Sequence, residues 1–153
     1  MNVRTAVPTT FVIDRVYRAS PARVFAAFAD PALKPKWFGG PPEWGTGAFR
    51  SEFRVGGREI SRGGPPGQPI HTFDARYHDI VPNERIVMTY DLYLGDARMS
   101  VSLATVEFRP NGAGTALRYT EQGVFLDGLE VPGEREEGTR QLLDALGRFV
   151  DAG

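Results

Sequence analysis

Apolar and polar residues alternate with period two along most of this chain, and give way to helical spacing near the start and at the end. Residues 11–18, FVIDRVYR, are rich in β-branched and aromatic side chains, and Phe11, Ile13 and Tyr17 share one face. Such a run predicts a strand. Ser20-Pro21 predicts a helix start. Serine caps the first turn, and proline sits where its missing N–H has no partner anyway. Val24, Phe25 and Phe28 follow at helical spacing. Asp30-Pro31 repeats the signal and predicts a second short helix that carries Leu33 and ends near Trp37. Residues 39–45, GGPPEWG, read as a loop, and residues 48–61 as a hairpin with Gly56-Gly57 in a tight turn. RGGPPGQP, residues 62–69, has the composition of a mobile loop. Three longer strands are predicted over residues 70–81, 85–94 and 98–109, and a last one over residues 115–122. VPGEREEG then leads into a helix whose Leu142, Leu143, Leu146, Phe149 and Val150 lie on one stripe of period near 3.6. Gly138 and Gly147 cost that helix propensity, so each predicts a close contact.

A strand, two short helices, about six further strands and a long helix predict an α+β fold with a curved antiparallel sheet. Such a sheet keeps one face wet and one covered, and the C-terminal stripe is the natural cover. The 153 residues fit one domain, over residues 11–153, with residues 1–10 as a flexible lead-in. The net charge of −1 gives no global field to recruit nucleic acid or an anionic membrane. No apolar run approaches the roughly 20 residues that insertion across a bilayer requires. The chain has no cysteine, which removes disulfides, thiolate metal sites and a cysteine nucleophile. With no apolar leader in MNVRTAVPTT, a cytoplasmic location is expected.

The order and spacing of several segments resemble the START-like (helix-grip) superfamily. More narrowly, they resemble the family named for the C-terminal domain of the activator of the heat-shock-protein-90 ATPase. The opening IDRVYRASPARVFAAFADPALKPKWFG, the glycine hairpin FRVGGR, the paired strands ARYHDIVPNERIVMTYD and the ending GAGTALRYTEQGVF carry the likeness, which spans roughly residues 11–150. The family usually has a tryptophan after the glycine that opens the last helix, whereas Thr139 follows Gly138 here. The resemblance implies a hydrophobic cavity between sheet and C-terminal helix. It implies no fixed reaction, because a shared fold does not set function.

Alternation places Glu121 on the covered face with Leu117 and Tyr119. A carboxylate there must be paired or hydrogen-bonded. It is either an acid that orients a ligand or moves a proton, or a strand-end glutamate bound to water or an arginine. Tyr90 shares a face with Ile86, Met88 and Leu92. That face is expected inward, with Met88 in the lining and the phenol as a pocket donor or a core hydrogen bond. His78 and Arg76 share the opposite alternation from Tyr77. Ile80 argues that their face is inward, Phe73 and Tyr77 that it is outward, and a bulge reconciles the two. Trp37 and Trp44 flank the proline–glycine loop as a pocket rim or as ordinary packing. Leu142 and Leu146 would line the cavity from the helix. Ser100 and Ser102 alternate with Met99, Val101 and Leu103, which favours serines on the wet side. GEREEG reads as a solvated helix start.

No nucleophile elbow, phosphate loop or dinucleotide fingerprint is present. His71 and His78, seven apart on a strand, point to opposite faces, so no metal and no cofactor is expected. Three functions fit. The first is a module that binds a small hydrophobic or aromatic molecule. The second is a polyketide cyclase- or hydrolase-like enzyme using Glu121, His78, Tyr90 or Arg76. The third, implied only by the family name, is a chaperone ATPase activator, which would need a large partner surface. A homodimer is compatible with the chain, though no interface is legible in it.

Overall fold

The computed structural model describes residues 4–44 and 47–152. Its elements are β1 (Ala6–Tyr17), α1 (Pro21–Ala29), single 3-10 turns at Lys34–Lys36 and Pro42–Trp44, β2 (Ala48–Ser51), β3 (Arg58–Gly63), β4 (His71–Val81), β5 (Arg85–Leu94), β6 (Ala97–Asn111), β7 (Gly114–Leu126) and α2 (Pro132–Val150). All strands form one curved antiparallel sheet in the order β1-β7-β6-β5-β4-β3-β2. The α+β helix-grip architecture expected from the chain is present.

Ser20 accepts a hydrogen bond from the Arg23 backbone N–H at 3.3 Å, with Pro21 at the first helical position. Inner-face residues alternate strictly along β7: Thr115, Leu117, Tyr119, Glu121, Gly123 and Phe125 are buried. The C-terminal half of α2 closes on β1. The Tyr17 hydroxyl donates to the Leu143 carbonyl at 2.8 Å, and Gly147 leaves room for the Tyr17 ring, which a Cβ there would meet at 3.0 Å. The glycine therefore exchanges helix propensity for a close helix–sheet approach. On the outer face, Asp14, Arg118, Glu107 and Arg85 face one another across β1, β7, β6 and β5. Alternating charge in this row favours the observed register over a slipped one.

Several elements differ from the sequence-based expectation. Residues 6–10, expected in the lead-in, belong to β1, because β7 runs four residues beyond its expected end and pairs Ala6 with Leu126. Residues 1–3 of the lead-in and Gly45 of the expected loop lie outside the described residues. The expected second helix is a 3-10 turn at Lys34–Lys36. The hairpin between β2 and β3 has no two-residue turn. Gly56 and Gly57 instead exchange backbone hydrogen bonds with Tyr77 of β4 at 2.8 and 3.0 Å, so the connection is longer and folds back on the sheet. None of the described helices is long and apolar enough to cross a membrane.

Gly138 makes no close contact, contrary to expectation: a Cβ added there would meet no atom within 4 Å. Gly138→Ala is therefore expected to stabilise the protein by about 1 kcal/mol. That corresponds to a rise of about 2–4 °C in melting temperature by calorimetry.

Candidate functional site

One cross-strand row of the inner face runs Glu59 (β3), Ala75 (β4), Tyr90 (β5), Ser102 (β6), Gly123 (β7). Its small members, Ala75, Ser102 and Gly123, leave a trough that larger side chains fill from beside and above. A polar cluster occupies each end of this trough.

The first cluster is built around Glu121, one step along β7 from the row and 1% exposed. Glu121 Oε1 accepts from the Tyr90 hydroxyl at 2.7 Å and the Tyr119 hydroxyl at 2.9 Å. Glu121 Oε2 accepts from Ser102 Oγ at 3.2 Å and from Arg135 Nη1 at 3.2 Å. Arg135 descends from the first turns of α2 and is also buried. Its Nη1 donates to the Tyr90 oxygen at 2.9 Å and its Nη2 to Ser100 Oγ at 2.7 Å. Glu130, from the segment before α2, takes the remaining fork: Arg135 Nε donates to Oε2 at 2.8 Å and Nη2 to Oε1 at 2.6 Å. The guanidinium also lies over the Phe125 and Tyr90 rings, at 5.1 and 5.5 Å. Gly123 is a necessary part of this packing, since a Cβ there would stand 2.8 Å from Ser102 Oγ.

The electrostatics follow from burial and charge. Burial, and then the Glu121 carboxylate, push the Tyr90 and Tyr119 phenols far above the usual tyrosine range. Both stay protonated and act as donors. Burial alone would lower the Arg135 pKa, but the Glu130 and Glu121 carboxylates outweigh it and hold the guanidinium charged.

The second cluster lies at the Glu59 end. Lys34, on the 3-10 turn after α1, donates from Nζ to Glu59 Oε2 at 2.5 Å. Glu59 Oε1 accepts from the Tyr77 hydroxyl at 2.6 Å and from Ser51 Oγ at 3.0 Å. Burial and Glu59 together raise the Tyr77 pKa well above its ordinary value. The ammonium sits 4.6 Å from the Phe38 ring centroid and 5.9 Å from that of Phe73. Phe73 in turn packs on Tyr90 at 4.7 Å. An aromatic bridge thus joins the clusters.

Of the residues singled out in the sequence, Glu121, Tyr119 and Tyr90 meet in the first cluster. Met88 lies buried on the same face, in the row of Ala104 and Glu121. Leu146 is buried and Leu142 half-buried under α2, on the turns beyond Arg135. Arg76 and His78 lie apart, exposed on the outer face. The register slips between Tyr77 and Asp79, so His78 is the bulged residue and its Nε2 meets Thr89 Oγ1 at 2.9 Å. Trp37 packs in the core, with Nε1 donating to the Ala27 carbonyl at 2.9 Å and its ring edge-on to Phe28. Trp44 is half-buried and stacks on His71 at 5.0 Å.

Ser100 and Ser102 point inward and Val101 and Leu103 outward, the reverse of the expected orientation. Pairing with β5 and β7 decides this, because it aligns Ser102 with inward Tyr90 and Gly123. Arg135, Glu130, Lys34 and Glu59 were missed. Arg135 had a signal, since positions 135, 139, 143, 146 and 150 continue the buried stripe of α2 at helical spacing. Two open depressions mark the surface. One of about 300 Å³ is lined by Arg18, Ala19, Arg23, Val150 and Asp151. The other, of about 570 Å³, lies between Arg62, Thr72, Asp74, Tyr93 and Asp96. Neither lies over the row of small residues between sheet and α2.

Solved structures share this architecture. The Mll3558 protein from Rhizobium loti is similar at 48% identity and a TM-score of 0.86, over 94% of this chain and 97% of that one. An uncharacterised protein from Rhizobium leguminosarum is similar at 41% identity and a TM-score of 0.94, over 99% of both chains. An AHSA1-like protein from Aeromonas hydrophila, 20% identical over 94% of this chain and 93% of that one, shares the fold at a TM-score of 0.72. No curated protein matches the chain. The family model for Activator of Hsp90 ATPase homolog 1-like proteins matches residues 18–151, which include both clusters. With that match and the helix-grip sheet around α2, the chain belongs to the Activator of Hsp90 ATPase homolog 1-like family of the START-like superfamily.

Proposed function

We propose that this protein binds a small, flat, largely apolar molecule with polar ends in the trough between the sheet and α2, which the ligand opens by moving aside side chains that fill it. The observation that carries this reading is the buried Glu121–Arg135 pair with its two phenols and two serine hydroxyls. Stability alone does not call for such a cluster, because well-packed apolar residues in place of a buried ion pair are often as stable or more so. A few convergent polar groups set among apolar walls and small residues are what fixes a ligand's orientation in a pocket. The Phe73, Tyr90, Phe38 and Phe125 rings supply apolar walls between the two clusters.

Binding is favoured over cyclase-type catalysis by the state of the acid. Each oxygen of Glu121 already accepts from two donors, so it has no free lone pair aimed at a substrate proton. The phenols, held protonated, already donate to Glu121 and cannot act as a base. A chaperone-activating role would have to use the outer face, where Val12, Val16, Val101 and Leu103 are exposed and only Val101 and Leu103 adjoin on one strand, among threonines and charges. Scattered exposure of this kind is ordinary on soluble proteins.

The test is a titration with 2-naphthol followed by amide chemical shifts. Shifts are expected at Ala75, Tyr90, Ser102, Gly123 and along residues 135–143. Glu121→Gln is expected to keep the fold and weaken binding, since the amide cannot accept from all four donors. Shifts confined to the two outer depressions, or none at all, would count against the reading.

A further inference from the structure

Glu130 differs from every other member of its cluster. It is the most exposed of the three charged groups, its side chain 14% accessible against 8% for Arg135 and 2% for Glu121. Its carboxylate has no hydrogen-bond donor other than Arg135 among the described residues. It rides on a weakly held connection. Asp127 and Gly128 both have positive φ, at 58° and 66°. Leu129 and Val131, on either side of Glu130, are exposed at 44% and 57%. Val131 occupies the helix-cap position without a side-chain hydrogen bond to the helix. Asp127 is tied to Thr5 by two backbone-directed bonds; beyond it the segment is pinned by Leu129 N–H to the Leu126 carbonyl at 3.2 Å, by the Glu130 side chain, and at Val131, whose carbonyl accepts from the Glu134 and Arg135 N–H groups at 3.0 and 3.4 Å.

The geometry of the pair is that of a carboxylate in a receptor. Arg135 presents two parallel N–H groups, Nε and Nη2, and the Glu130 oxygens meet them at 2.8 and 2.6 Å. This fork is how arginine recognises planar carboxylates. Arg135 also sits in the first turns of α2, where the helix dipole already favours negative charge. Two positive features therefore point at the spot Glu130 occupies.

We propose that the trough takes carboxylates of apolar molecules, and that Glu130 holds the place of the ligand carboxylate on Arg135 until the ligand displaces it. This rests on the binding reading above and adds the ligand's charge and its anchor. The charge count supports an exchange rather than an addition. Glu121 and Glu130 already give two carboxylates to one guanidinium. A third would be repelled, whereas one that replaces Glu130 leaves the count unchanged. Only Glu130 can leave, because Glu121 is held by four donors from four side chains. Its departure also opens the cluster to solvent at the start of α2, since it is the outermost member. The covalent structure does not change: Glu130 moves into water, and the ligand oxygens take its two hydrogen bonds.

Benzoate and benzamide are the probes, the second matching the first in shape without its charge. The affinities of wild type, Glu130→Ala, Glu130→Gln and Arg135→Met are measured by calorimetry and amide shifts. Glu130→Ala is expected to bind benzoate about tenfold or more tightly than wild type, the loss of one competing charge-assisted fork. Glu130→Gln should move in the same direction, and serves if the alanine variant folds poorly. Benzamide affinity should be the same in wild type and in both Glu130 variants, and Arg135→Met should lose benzoate. In wild type, saturating benzoate should shift the amides of residues 128–131. Equal benzoate affinity with and without Glu130, or an equal gain for benzamide, would overturn the proposal. If benzamide enters the trough while benzoate does not, the binding reading stands and the place-holder role of Glu130 falls. If neither probe reaches Tyr90 or Ser102 in any variant, both fall.

Discussion

Glu59→Leu should lower the melting temperature by roughly 6–20 °C, the consequence of stranding Lys34. Lys34 and Glu59 have side-chain exposures of 3% and 0%, and Glu59 is the carboxylate that meets the ammonium. Removing one partner of a buried pair leaves an uncompensated charge and costs about 3–5 kcal/mol. For a chain of this length each kcal/mol shifts the midpoint by about 2–4 °C. The Tyr77 and Ser51 hydroxyls lose their acceptor in the same substitution, which adds to the cost. Lys34→Met in the Glu59→Leu background should recover most of the loss, because the methionine fills the same space under Phe38 and Phe73 without a charge. The double-mutant cycle measures that coupling directly. A loss below about 1 kcal/mol in the single variant, a typical surface-pair value, would mean that Lys34 reaches water and that the connection after α1 is not anchored through it.

Alkaline unfolding should be abrupt and should begin just above pH 10. Tyr17, Tyr77, Tyr90 and Tyr119 are four of the five tyrosines, and all are buried. Burial is the main cause that raises each of their pKa values, reinforced by Glu59 at Tyr77 and by Glu121 at Tyr90 and Tyr119. The sign follows from linkage. In the unfolded chain these phenols ionise near pH 10, whereas in the folded protein they keep their protons. Their contribution to stability is therefore complete below pH 10 and is lost as pH rises toward the folded pKa values. Each phenol contributes a slope that rises toward about 1.4 kcal/mol per pH unit, so four together remove about 4 kcal/mol over the first unit. That is comparable with the whole stability of an ordinary domain. Circular dichroism and phenolate absorbance should change in one coincident transition. Tyr17→Phe, which removes one buried phenol remote from the Glu121 cluster, should make the pH dependence shallower by one quarter. Phenolate appearing at these four positions while the fold persists above pH 11 would contradict the assignment.

The same residues show what could be read in the chain. Alternation in RIVMTYDLYL placed Ile86, Met88 and Tyr90 on one face, and the strand has the expected bounds, Arg85–Leu94. Alternation in LRYTEQ put Tyr119 and Glu121 together on the covered side. The α2 stripe was legible because Leu143, Leu146 and Val150 repeat at the helical period. In each case the signal was local, several apolar side chains at one period, and Glu121 was placed by the Leu117 and Tyr119 that share its alternation. Where the two faces of a strand were both mixed, the signal failed. In β6 the valine and leucine looked like the core and the serines like the surface. His78 was ambiguous for a related reason: one bulged residue resets the alternation of β4, and no residue type announces it.

The sequence by itself determined the α+β order, the curved antiparallel sheet, the covering helix and the inward position of Glu121 among aromatic neighbours. These follow from periodicity, turn chemistry and capping, all of which act between residues close in the chain. Only the tertiary structure decided what Glu121 meets. Arg135 lies 14 residues away and Tyr90 31, and Glu59 finds Lys34 across 25 residues. A charged residue in a sequence reads as solvated because burying it alone is prohibitive. Strand pairing and helix docking bring an opposite charge and oriented hydroxyls to the same point, and it is that convergence which makes burial of Glu121, Arg135, Lys34 and Glu59 tolerable.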